Sequence, residues 1–140
     1  MKLSAKVEYA FKAVLELSIH YHEKRPVQLK EIYQSQRVPK KYLVQILLRL
    51  KDAGLVRSSR GVAGGYHLAK APSKITLAGV FGAVDSQLLE QNQPQKMRQD
   101  SDQLIHQIWG SIHRHIEAEL KINYDDLVAR LKGVALNYQI

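Results

Sequence analysis

Apolar residues recur along the first fifty positions with the period of a helix, and the pattern is interrupted at Pro39 and again near Leu55. Leu3, Val7, Ala10, Phe11, Val14, Leu15 and Ile19 share one side of a 3.6-residue repeat, which predicts a helix over about Ser4 to Tyr21 with Ser4 as its N-cap. A polar connection, 20–26, follows. Leu29, Ile32 and Tyr33 then predict a second helix over about Leu29 to Gln36. Arg37-Val38-Pro39 stops it, because a residue before proline is pushed out of the α region. Proline at a first helical position loses no hydrogen bond, so a third helix can run from Pro39 or Lys40 to about Asp52, with Gly54 as its stop. Leu43, Ile46, Leu47 and Leu50 form its apolar stripe, while Lys41, Tyr42, Gln45 and Arg49 fall on the other side.

Beyond Gly54 the pattern changes. Leu55–Ser58 and Tyr66–Ala69 are short runs able to pair antiparallel, and Gly61, Gly64 and Gly65 between them supply the positive φ angles of a hairpin tip. Two helices around a tight turn, followed by such a ribbon, make a helix-turn-helix with a wing. After Pro72, either Ser73 or Thr76 can cap a short helix holding Ile75, Leu77, Val80, Phe81 and Val84. The stretch 87–102 is glutamine-rich, contains Pro94 and reads as a loop. A long helix from Asp100 or Ser101 to Ile122 follows: Leu104, Ile108, Ile112, Ile116 and Leu120 step by four, and Ile105 and Trp109 widen the stripe. Such a stripe needs a cover, either a second copy of the chain or the rest of the same chain, and a short last helix begins near Tyr124. The expected fold is mainly α with a small β-hairpin. Its expected division is a winged helix-turn-helix DNA-binding domain over 1–85, a linker over 86–100 and a helical dimerisation region over 101–140.

Composition narrows the function. With 140 residues the chain suits one ordinary domain, or a small one with a helical extension. No run of about 20 apolar residues is present, the N-terminus lacks a signal-peptide pattern, and cysteine is absent, so a cytoplasmic protein without disulfides or membrane contact is expected. Residues 1–85 carry 15 Lys+Arg against 6 Asp+Glu, a net +9, whereas 86–140 carry 6 against 7, a net −1, which together give the formal +8. Basic charge confined to the part holding the helix-turn-helix is the footprint of a polyanionic partner. No nucleophile–base pair, paired carboxylates, zinc spacing or nucleotide loop is readable, so neither an enzyme nor a metal or other cofactor is expected. His20 and His22 lack the further ligands a metal site needs.

Several residues have the chemistry for duplex DNA. Gln45 can read adenine, Arg49 guanine or a phosphate, and Lys40, Lys41 and the Tyr42 hydroxyl can hold phosphates. Arg57 and Arg60 put charge on the wing, where Gly61, Gly64 and Gly65 allow close backbone approach, and Gln28 at the start of the second helix can meet a phosphate.

The segments MKLSAKVEYAFKAVLEL, YLVQILLRLKDAGLVRSSRG and GGYHLAKAPSKITLAGVFGAV resemble the Rrf-two family of bacterial winged helix-turn-helix transcription regulators. The resemblance is close over the first 85 residues or so and reaches the rest in outline. It implies that the N-terminal end of the first helix lies near DNA, bringing Lys2 and Lys6 to phosphate. It also implies that the long helix pairs two copies through Leu104, Ile105, Ile108, Trp109, Ile112, Ile116 and Leu120. Several members hold an iron–sulfur cluster through three cysteines, with a histidine at the position of His106, whereas cysteine-free members answer to a protein partner. Many also carry a glutamate where this chain has Val44, so their operators do not transfer. The resulting expectation is a homodimeric regulator of double-stranded DNA, controlled by a small molecule or protein partner. The competing reading is a winged-helix adaptor that binds protein or RNA without sequence-specific DNA readout.

Overall fold

The computed structural model describes residues 2–86 and 100–138. The Ser4 hydroxyl accepts from the Val7 amide at 3.3 Å and starts α1, Ala5–Ile19. Val7, Ala10 and Val14 are buried as the repeat predicts, but Leu3 and Ile19 at its two ends are exposed, and Ala13 and Leu17 are buried instead. The reason is that α1 is the centre of the domain. It packs against α2 (Leu29–Gln36), α3 (Lys40–Asp52), α4 (Leu77–Val84) and α6 (Tyr124–Tyr138), so one stripe is too narrow for its buried face.

Between α1 and α2 a single 3-10 turn, Tyr21–Glu23, ends with Lys24 in the left-handed region. The α2–α3 turn uses a left-handed Arg37, φ 53°, and Val38 is buried beneath it. Pro39 lies just before the helix, as the N-cap of α3, and not at its first helical position. At the other end Gly54 takes φ +76°; its amide bonds Lys51 O and the Leu55 amide bonds Leu50 O, both at 3.0 Å. This paired closure lets the chain reverse directly from α3 into the wing.

The wing consists of β1 (Val56–Ser59) and β2 (Gly65–Leu68), antiparallel, with Val56 opposite Leu68 and Ser59 opposite Gly65. Both strands are displaced by one residue from the expected limits, because the Leu55 amide is already engaged in closing α3. Val27 adds a further rung, exchanging backbone hydrogen bonds of 2.9 and 2.8 Å with Tyr66. Thr76 caps α4 through the Gly79 amide.

The predicted glutamine-rich linker lies largely outside the described residues. Beyond it α5 runs Asp100–Glu119 and none of its residues is buried. The turn that follows it is anchored to α4, whose Ala78 and Leu77 amides donate to Leu120 O and Ile122 O. Tyr124 then returns the chain to the core, fully buried, with its hydroxyl donating to Phe11 O at 3.2 Å. Burial drives its pKa far above the ordinary phenol value, so the group stays a neutral donor.

Candidate nucleic-acid interface

Two helices and the wing form one polar, basic face. Burial of Leu43, Ile46, Leu47 and Leu50 fixes the rotation of α3 and turns Lys40, Lys41, Val44, Gln45 and Leu48 to solvent. Lys51 at the end of α3 donates to the Ser58 hydroxyl at 2.8 Å and ties the helix to β1. Arg57 and Arg60 are exposed on the same ribbon.

The expected residues do not all stand alike. Tyr42 stacks on Tyr9 of α1 at 6.0 Å between ring centroids, and the Lys41 ammonium lies 4.9 Å above the Tyr42 ring. Arg49 leans away from the outermost face and donates to Val84 O at 3.2 Å, the carbonyl end of α4, where a cation is favoured. Tyr42, Gln45 and Arg49, with Ala5, Lys6 and Tyr9 of α1, line a cleft between the two helices. Lys2 is exposed just ahead of α1, so Lys2, Lys6 and the start of α3 lie on one side of the molecule.

Gln28 is exposed, but its backbone amide donates to the Glu31 carboxylate at 2.8 Å, and Glu31 also pairs with Arg25. That amide bond, then Arg25, hold the Glu31 carboxyl below its ordinary range. The N-terminus of α2 is therefore already occupied by an anion.

At the wing tip only Gly61 has a positive φ, +103°, which corrects the expectation for all three glycines. Gly64 and Gly65 serve close approach instead: an added Cβ would clash with Ser59 O at Gly64 and stand 2.6 Å from Val27 O at Gly65. The tip is held by the Gly64 amide bonding Gly61 O at 3.0 Å.

Behind this face Glu16, 4% exposed, accepts from His20 Nε2 at 3.0 Å, Ser35 Oγ at 2.9 Å and Gln36 Nε2 at 2.6 Å. It joins the end of α1 to the end of α2. Sequence reading passed over it, since a glutamate in an amphipathic helix ordinarily faces water. Leu48 is hidden from sequence reading for the opposite reason, being apolar yet off the core stripe, whereas Val44 is flagged only by the family resemblance.

On the long helix Leu104, Ile105, Ile108, Trp109 and Ile112 are all exposed, whereas Ile116 and Leu120 are half-buried and Leu120 packs on the core. The stripe is therefore one continuous apolar surface that turns into the domain only at its C-terminal end.

Comparison with known proteins agrees with this architecture. The profile of the Rrf2 family (Rrf-two), described as iron-dependent transcriptional regulator, matches residues 3–130. The HTH-type transcriptional regulator IscR of Serratia proteamaculans is 36% identical over 138 residues, spanning 91% of this chain and 84% of that protein. Among solved structures, CymR, the global cysteine regulator of B. subtilis, superposes with a TM-score of 0.79 at 28% identity, covering 93% of this chain and 98% of that one. IscR of T. potens gives 0.77 at 30% identity, covering 94% and 88%.

Iron dependence in that family has a chemical test here. Iron–sulfur clusters are held mainly by cysteine thiolates, and this chain has none. Among the described residues no group of three or more His, Cys, Asp or Glu side chains is placed to hold a metal ion, and His106 is exposed on α5. The donor set does not fit a cluster.

Proposed function

Since the chain belongs to the Rrf2 family of DNA-binding transcriptional regulators and is not an enzyme, we propose that it acts in the cytoplasm as a homodimer reading a two-fold-symmetric site in duplex DNA. Residues 1–85 bind DNA, 86–100 connect, and 101–140 pair the two copies, with α6 also closing the core of its own domain. Two copies of α3 enter successive major grooves about 34 Å apart. The observation that carries this reading is the outer face of α3, which presents Lys40, Lys41 and Gln45 to solvent beside a cationic wing.

Gln45 makes the adenine contact. Lys2, Lys40, Lys41, Arg57 and Arg60 neutralise phosphates, each adding about 0.9 to the slope of log affinity against log salt. Tyr42, held by Tyr9, offers its hydroxyl to the backbone, and the side chain of Gln28 meets the flank. Arg49 must exchange the Val84 carbonyl for a base or phosphate, so its contribution is a difference between two bonds and smaller than that of Lys41. Gly61, Gly64 and Gly65 keep the wing tip narrow enough to approach the minor groove. Pairing through α5 is supported by an apolar stripe that the described residues leave uncovered. Control passes through a small molecule or protein partner and not through an iron–sulfur cluster, because the cluster's donor atoms are missing.

The test is selection of genomic fragments by the purified protein, then titration of the enriched duplex at several salt concentrations. Enrichment of one symmetric site, bound far above scrambled duplex and weakened by Gln45→Ala, is the expected result. Binding that is weak, equal for every sequence and abolished by salt, with no recovery on adding candidate effectors, would favour an adaptor for protein or RNA.

A further inference from the structure

Two apolar side chains stand on the outer face of α3. Val44 is 46% exposed and Leu48 58%. They lie one helical turn apart on the side away from the Leu43–Leu50 core stripe, among Lys40, Lys41, Gln45 and Lys51. A single exposed leucine needs no explanation. Two on the face read as entering DNA, ringed by lysines, do. An apolar protein partner seated on them would also bury that ring of ammonium groups without counter-charge, which is costly. A polyanion covers both at once.

We propose that Val44 and Leu48 form an apolar reading surface for thymine C5-methyl groups in the major groove, and so help Gln45 to set the operator sequence. This rests on the assignment of α3 as the reading helix. The methyl group of thymine is the apolar feature of the major-groove edge, absent from cytosine, and side-chain carbon against it is a recognised form of base readout. Spacing agrees. Four residues of helix rise about 6 Å, close to two base-pair steps of about 3.4 Å each, so two thymines one to two steps apart can be covered together. The contact differs in kind from those of Lys40 and Lys41, because it discriminates bases without drawing on charge.

The experiment uses the full chain and the duplex enriched in selection, remade with deoxyuridine for thymidine one position at a time. That exchange removes only the methyl group. Within the α3 footprint of each half-site, one or two substitutions should weaken binding about fourfold, the worth of one buried carbon. Substituting both half-sites should weaken it about fifteenfold on the same basis. The loss should shrink in Val44→Ala or Leu48→Ala while the salt slope stays unchanged. Equal affinity for thymidine and deoxyuridine at every position overturns the proposal, as does an identical deoxyuridine penalty in both variants. Failure to enrich any duplex would instead remove the sequence-specific reading on which the proposal stands.

Discussion

Replacing Trp109 by alanine tests the reading of α5. The indole is 64% exposed, with Ile105, Ile108 and Ile112 beside it on the same stripe. Fully burying a large apolar side chain contributes about 1.5–3 kcal/mol, so covering the exposed part of Trp109 contributes about 1–2 kcal/mol per copy. In a two-fold dimer each residue occurs twice. The substitution should therefore weaken dimerisation by about 2–4 kcal/mol, or roughly 30- to 1,000-fold in dissociation constant. Sedimentation equilibrium across a concentration series reads this directly. Because Trp109 lies outside the buried core of the described residues, far-ultraviolet circular dichroism of the diluted monomer should not change. The wild-type chain should be dimeric at micromolar concentration, and the variant should bind a full operator no more tightly than a half-site. A wild type that stays monomeric at tens of micromolar, or a variant with the same dissociation constant, would refute the argument.

Substitutions at three further positions probe how the domain holds its reading face. Tyr124→Phe removes the hydroxyl bonded to Phe11 O and should cost about 0.5–1.5 kcal/mol. Tyr124→Ala should cost about 3–5 kcal/mol, and urea unfolding that gives less than 1 kcal/mol for it would place α6 outside the core. Gly64→Ala must move Ser59 O or the tip, at about 1–3 kcal/mol; thermal melting and DNA titration should both weaken, and unchanged values in both would show that the close approach is not present in solution. His20 gives a pH signature: partial burial lowers its pKa, but the hydrogen bonds to Glu23 and Glu16 outweigh that and leave it above the ordinary 6.5. The protonated ring therefore stabilises the fold; its contribution is complete below about pH 6.5 and is lost as pH rises through the raised value. Melting temperature should fall across that window for the wild type and less for His20→Gln, whereas an equal fall in both would assign the effect elsewhere.

The helices and the hairpin were legible in the sequence where local chemistry punctuates the chain, whereas the 3-10 turn Tyr21–Glu23 falls in a stretch that reads as a polar connection and the last helix, Tyr124–Tyr138, is longer than the short one expected. Ser4 and Thr76 cap the helices they were expected to cap or were candidates for, and Gly54 closes α3, because a hydroxyl at an N-cap and a glycine at a left-handed position satisfy backbone groups that lie next to them in sequence. What escaped was decided by residues far apart. Nothing near Arg49 tells that the Val84 carbonyl will lie against it, and the partner of Phe11 O is 113 residues away. Leu3 and Ile19 fit the α1 repeat as well as Val7 does, yet they project beyond the elements that cover its middle. At Gly64 and Gly65 the need for glycine comes from a neighbouring backbone and not from a left-handed turn, a cause that lies outside the local sequence.

Periodicity states which residues face the same way and leaves open what they face. The stripes of α3 and α5 illustrate the two outcomes. On α3 the stripe is covered by α1, α2 and α4, and so the orientation of the opposite side follows, with Val44 and Leu48 on it. The α5 stripe is equally regular, yet among the described residues it is partly covered only at its C-terminal end, at Ile116 and Leu120. A contiguous exposed apolar row of this kind is the mark of an interaction surface. The proposed function gives both faces a partner outside the chain. On α5, apolar residues without intervening cations suit a second copy of the same row; on α3, the lysines around Val44 and Leu48 exclude that and select a polyanion.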